Sequence, residues 1–222
     1  MKAQPVAIPV EDEKVSGLLI APPKAHAIYV LAHGAGAGMA HPFMEAAAQW
    51  LAERGIATLR YQFPYMERGS KRVDTPKVAQ GAVRAAVAEA ARRMPGVALF
   101  AGGKSFGGRM TSQAQAATPL EGVRGLAFLG FPLHAAGQPS DERGAHLAAV
   151  KVPMLFLQGS RDDLASLELL RPLVKKLGAR TRLAVFEDAN HSFHVPAKSG
   201  RKDPEVLAGV LDALAAWIGA NR

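Results

Sequence analysis

Residues 99–108 read Leu-Phe-Ala-Gly-Gly-Lys-Ser-Phe-Gly-Gly. Two chemistries fit these letters. Gly103-Lys104-Ser105 matches the end of a loop that cradles phosphate. Gly103-Lys104-Ser105-Phe106-Gly107 matches G-x-S-x-G, in which a serine is raised on a tight strand-to-helix turn. The flanking residues separate the two. A phosphate loop needs a glycine at position 98, where Ala98 stands, and Leu99, Phe100 and Ala101 read as buried strand. A second glycine cluster, His33-Gly34-Ala35-Gly36-Ala37-Gly38-Met39, fails the dinucleotide fingerprint G-x-G-x-x-G because Met39 occupies the third glycine position. The following strand, which should end in an acid, ends in Arg60-Tyr61.

Outward from the decapeptide, apolar runs alternate with helical patterns. Strands are expected at Val15–Ala21, Ala27–Ala32, Ile56–Tyr61, Val97–Ala101, Gly125–Phe131, Val152–Gln158 and Arg182–Phe186. Several are continuous Val/Ile/Leu/Phe/Ala runs, as strands of a parallel sheet covered on both faces require. Helices are expected at Pro42–Arg54, Pro76–Arg93, Phe106–Ala117, Leu164–Leu177 and Pro204–Ala220. This order predicts a single α/β domain over residues 1–222, with a doubly wound, mostly parallel sheet of about seven strands and helices on both faces. The first strand, which precedes any helix, is expected as an antiparallel addition at the edge. Ser105 then falls at a strand–helix junction, where a nucleophile elbow belongs.

A serine hydroxyl needs a base to remove its proton, and the base needs an orienting acid. In hydrolases of this topology the order along the chain is Ser, acid, His. The strand ending at Gln158 leads into Gly159-Ser160-Arg161-Asp162-Asp163. Asp162 and Asp163 compete for the role of acid; Asp163 is better placed as an N-cap for a helix starting near Leu164, and Asp162 is taken as the acid. The next strand leads into Asn190-His191-Ser192-Phe193-His194. His191 comes first on that loop and is taken as the base, with His194 as a surface or supporting residue. The oxyanion of acyl transfer needs preorganised donors. The backbone N–H groups of Phe106 and Ala35 are nominated, with Gly34 or Gly36 as alternatives one position away. His33 is expected to shape that loop by hydrogen bonding. Gly34, Gly36 and Tyr65, the last within Phe63-Pro64-Tyr65-Met66, are expected to border the substrate.

Composition narrows the remaining classes. The chain has 222 residues, is 49% hydrophobic and 21% charged, and carries a formal net charge of +8. Such a chain is long enough to bury a substantial core. Its basic residues are scattered, as in Arg92-Arg93 and Lys175-Lys176, with no aromatic-interleaved stripe for nucleic acid. No apolar run approaches the ~20 residues of a membrane span, and Met1–Lys14 has no signal-peptide core. With no cysteine, disulfide and thiol chemistry are excluded. A soluble, cytoplasmic protein is expected, without nucleic-acid or membrane partners, as a monomer or homodimer.

Leu31–Met39, Arg60–Met66, Gly102–Met110, Phe128–His134, Leu155–Leu164 and Asn190–Phe193 together make the chain resemble the α/β-hydrolase superfamily. The resemblance is to its small dienelactone-hydrolase-like branch, related to the KANL3/Tex30 group. It implies a Ser105–Asp162–His191 triad and supports Asp162 through the Gly-x-x-Asp pattern from Gly159. It implies no metal and no cofactor. Where lipase-type relatives insert a helical cap, this chain has only Leu133–Ala149, so no large lid is expected. The function read from the sequence is cleavage of a carboxylic ester or thioester of a small or exposed substrate. The alternative is a non-catalytic scaffold of the same fold that binds a protein partner. The role of Lys104 is left open between tuning the site and pointing to solvent.

Overall fold

The computed structural model describes residues 1–11 and 13–222. Its centre is one eight-stranded sheet. In chain order the strands are β1 (Gln4–Val10), β2 (Glu13–Ile20), β3 (Ala27–Ala32), β4 (Ile56–Tyr61), β5 (Ala98–Lys104), β6 (Val123–Leu129), β7 (Met154–Gly159) and β8 (Thr181–Phe186). Across the sheet they run β1-β2-β4-β3-β5-β6-β7-β8. β2 is antiparallel to both of its neighbours, and β3 to β8 are parallel. This is the α/β-hydrolase fold.

The sheet has one strand more than expected. In β1, Gln-Pro-Val-Ala-Ile-Pro-Val, Val6, Ile8 and Val10 face inward while the alternate residues are exposed. That period-two pattern marks a strand, but Pro5 and Pro9 argue against it because each lacks a ladder donor. The position resolves the conflict. β1 is the edge strand, paired on one side only, where missing donors are tolerated. β2, expected at the edge, is second from it.

Helices α1 (Pro42–Glu53) and α6 (Asp203–Ala220) pack on one face, with Met44, Ala47, Leu51, Val210, Leu214 and Trp217 facing the sheet. The other face is covered by α3 (Pro76–Arg93), α4 (Phe106–Ala117) and α5 (Leu167–Leu177). The short α2 (Pro64–Glu67) follows β4. α5 begins three residues later than expected, and its N-cap is Ser166, whose hydroxyl accepts the Glu168 N–H at 3.2 Å. Asp163 is exposed and caps nothing. Residues 162–165 are held in a turn instead, because the Asp162 carboxylate accepts the Leu164 N–H.

From β3 the chain winds outward to β4, then returns to place β5 on the other side of β3. Ligands of open α/β sheets bind in the crevice at such a switch point, beyond the strands' C-terminal ends. Here that crevice lies between the loop after β3 and the turn after β5. Between β6 and β7 the chain forms one 3-10 helix, Glu142–Ala149, which docks on α4 through Ser112 Oγ and His146 Nε2, 2.8 Å apart. No large lid is built there.

Candidate active site

Ser105 sits between the end of β5 and the start of α4 with φ +50° and ψ −117°, a conformation L-residues rarely adopt. Its surroundings enforce the turn. A Cβ on Gly103 would lie 2.2 Å from the Ala32 carbonyl oxygen, and one on Gly107 2.6 Å from the carbonyl oxygens of Ala32 and His33. The elbow therefore presses against the end of β3, and only glycine fits two residues before and two residues after the serine.

Two further loops reach this turn. Ser105 Oγ lies 2.8 Å from His191 Nε2, and His191 Nδ1 lies 2.7 Å from Asp162 Oδ2. The Asp162 side chain is fully buried and that of His191 is 18% exposed, so the chain of hydrogen bonds runs from the protein interior to the surface. Asp162 is further fixed by the Leu164 N–H at 2.8 Å and by a donated hydrogen bond from Gln158 Nε2. The His191 loop is shaped by Asn190, whose Oδ1 accepts the N–H groups of Ser192 and His194 at 2.9 and 3.1 Å. The loops carrying Asp162 and His191 meet at Gly159, where a Cβ would stand 2.2 Å from the Ala189 carbonyl oxygen. His194 turns away and bonds Asp203 at the start of α6.

Ala35 is exposed at the crevice, and Phe106 opens α4, so its N–H has no intrahelical acceptor. Neither N–H meets a protein acceptor among the described residues. Gly36 and Tyr65 take other positions than those expected. Tyr65 is buried, and its hydroxyl accepts the Gly36 N–H at 2.9 Å. Neither residue lines the cavity beside Ser105, whereas Gly34 does. The segment after β4 braces the loop after β3 from behind. Gln62 Oε1 accepts the Met39 N–H at 2.8 Å, and buried Arg60 donates to the Met39 carbonyl at 3.1 Å. His33 Nε2 accepts the Phe63 N–H at 3.1 Å, which leaves Nδ1 to donate to the Gly34 carbonyl at 2.7 Å. Burial holds the His33 imidazole below its ordinary pKa, consistent with this neutral tautomer.

Gln158, Asn190 and Tyr65 thus support the site in ways the sequence reading did not anticipate. Gln158 leaves a trace, a lone amide in the apolar run Met154–Gly159. Asn190 and Tyr65 leave none, because their partners are backbone groups.

The cavity beside Ser105 measures about 430 Å³. Ala35, Ala37, Phe43, Met44 and Leu164 give it apolar walls, and His41 and Lys104 contribute polar groups. A larger groove of about 680 Å³ lies between β8 and α6, but none of the site residues lines it. Among the described residues no three His, Asp or Glu side chains converge to hold a metal ion. No described helix is long and apolar enough to cross a membrane.

Residues 25–219 match the family model for the alpha/beta hydrolase domain. The chain belongs to the α/β-hydrolase family. Solved α/β hydrolases superpose over nearly the whole chain. A dienelactone hydrolase from Anabaena variabilis is 22% identical with a TM-score of 0.80, covering 100% of this chain and 99% of its own. An α/β serine hydrolase without a lid from Xanthomonas campestris is 20% identical at TM-score 0.75, covering 98% and 95%. The esterase domain of a Rhodothermus marinus protein is 15% identical at TM-score 0.74, covering 98% of each chain. At these identities the likeness speaks for the α/β-hydrolase fold.

Proposed function

We propose that this α/β hydrolase is a serine hydrolase that cleaves a carboxylic ester or thioester. The reading is carried by the hydrogen-bonded chain from Ser105 through His191 to Asp162, on an elbow whose strain exposes the hydroxyl. Ser105 Oγ attacks the carbonyl carbon while His191 Nε2 takes its proton. Asp162 keeps the proton of Nδ1 in place and stabilises the imidazolium that forms. The developing oxyanion accepts hydrogen bonds from the N–H groups of Ala35 and Phe106. As the tetrahedral adduct collapses, His191 returns the proton to the alcohol or thiol that leaves. A water then deacylates Ser105 by the same route. No metal and no organic cofactor enters a step.

The apolar, uncovered cavity of about 430 Å³ favours a small acyl group, or one attached to an exposed site on a larger molecule. The dienelactone hydrolase and the esterase domain among the similar folds are consistent with ester chemistry on this scaffold. We place the enzyme in the cytoplasm as a monomer or homodimer. A fluorophosphonate probe should label the native protein and leave Ser105→Ala unlabelled, and a panel of esters and thioesters of varied chain length should show hydrolysis that this variant lacks. Equal labelling of the two proteins would refute the assignment.

A further inference from the structure

Lys104 is the variable residue of the G-x-S-x-G string, and the acyl-transfer steps above make no use of it. Its side chain leaves the end of β5, passes Gly34 and reaches the underside of the base-bearing loop. Nζ donates to the His191 carbonyl oxygen at 2.6 Å and lies 5.7 Å from the centre of the Phe193 ring. Among the described residues no other donor reaches that carbonyl, and no carboxylate lies within ion-pair distance of Nζ. Asn190 ties down the residues after His191, but the main chain of His191 itself is held by this ammonium.

Enclosing an ammonium without an ion-pair partner is costly. Here burial pushes the Lys104 pKa down to about 8, against the opposing pull of Asp162. A methionine would fill similar volume without that cost, so the charge calls for a reason that packing does not supply. The chain topology offers one: Lys104 immediately precedes Ser105, so whatever Lys104 holds is held relative to the nucleophile.

We propose that Lys104 is a positioning residue, clamping the main chain of His191 to the nucleophile elbow and so fixing the Oγ–Nε2 approach. The inference rests on the reading of Ser105 and His191 as nucleophile and base. The titratable groups around the ammonium are Asp162 from the loop after β7, His191 from the loop after β8, and His41 across the cavity at the start of α1. A protonated amine makes a charge-assisted hydrogen bond roughly twice as strong as a neutral one. The clamp is therefore firm below about pH 8 and slackens as pH rises through that value.

The test compares kcat, KM, fluorophosphonate labelling rate and pH profile for the native protein, Lys104→Met and Lys104→Arg, using a p-nitrophenyl ester and checking folding by circular dichroism. Lys104→Met should lower kcat and labelling rate roughly tenfold at pH 7, within the ~100-fold a 1 Å misplacement costs, with KM little changed. It should also lose the alkaline decline. Lys104→Arg, whose cation persists to higher pH, should recover most of kcat and move that decline upward. If Lys104→Met fails to fold, the Lys104→Arg profile decides. Native kinetics and profile in either variant overturn the clamp while leaving the hydrolase reading intact. Absence of labelling and hydrolysis in the native protein defeats that reading, and the clamp with it.

Discussion

Asp162 and Asp163 are neighbours in sequence and opposites in environment. One is enclosed by His191, Gln158 and the Leu164 N–H, and the other is exposed to water. Substituting each by asparagine separates position from composition. Asp162→Asn should cost about 10⁴-fold in kcat, by analogy with the same change in the serine-protease triad, because an amide favours the wrong imidazole tautomer. Asp163→Asn should leave kcat within about twofold, as surface changes away from such features do. Steady-state assays on the two variants give the comparison. At this scale the sequence was informative where chemistry fixes the residue type. Ser105, Asp162 and His191 occur in the necessary order, each just beyond a strand. It was uninformative where a side chain serves a backbone group, as Tyr65 and Asn190 do, since many residue types form such bonds. Lys104 is the intermediate case. Its charge was visible, but its partner is a carbonyl oxygen, which carries no residue-specific mark.

Among elements, the decisive pairing is between the loop after β3 and the segment after β4. Arg60, Gln62, Phe63 and Tyr65 each hold a backbone group or the histidine of residues 33–39. The glycines of that loop let its backbone approach the elbow, and the segment behind it supplies the stiffness they lack. Tyr65→Phe removes the acceptor of the Gly36 N–H, a hydrogen bond worth about 1 kcal/mol net. For a domain of this size, Tm should fall by roughly 2–4 °C. kcat should fall with KM nearly unchanged, because the loop carrying the Ala35 N–H loosens. Thermal denaturation and ester kinetics measure both. The long elements were legible because each long run keeps one period, but β1 and the start of α5 were not. β1 hides behind prolines that only an edge position excuses, and α5 starts late because Asp162 draws the Leu164 N–H into its own turn.

For the whole molecule, two histidines are held neutral beneath the surface on the same side of the chain's pH range. Burial lowers the pKa of His33, and burial with nearby Arg109 brings that of His146 down to about 4. The unfolded chain protonates such groups near pH 6.5, so it binds more protons than the folded chain below that value, for His146 down to about pH 4. Stability is full above that window and is lost as pH falls through it. His146 alone should account for roughly 2 kcal/mol, allowing for its residual exposure. Urea denaturation at pH 7 and pH 4.5 should show a larger loss for the native protein than for His146→Gln. The doubly wound, mostly parallel class was inferable from alternation, because right-handed crossovers leave few arrangements, but the order of the strands was not. The docking of the 3-10 helix depends on contacts between distant segments. That helix has one more consequence, and it concerns time. The residues between β6 and β7 are committed to packing on α4, so nothing stands over Ser105 that must swing aside. If Ser105 is the nucleophile, substrate reaches it by diffusion into an open bowl, and progress curves should start without a lag.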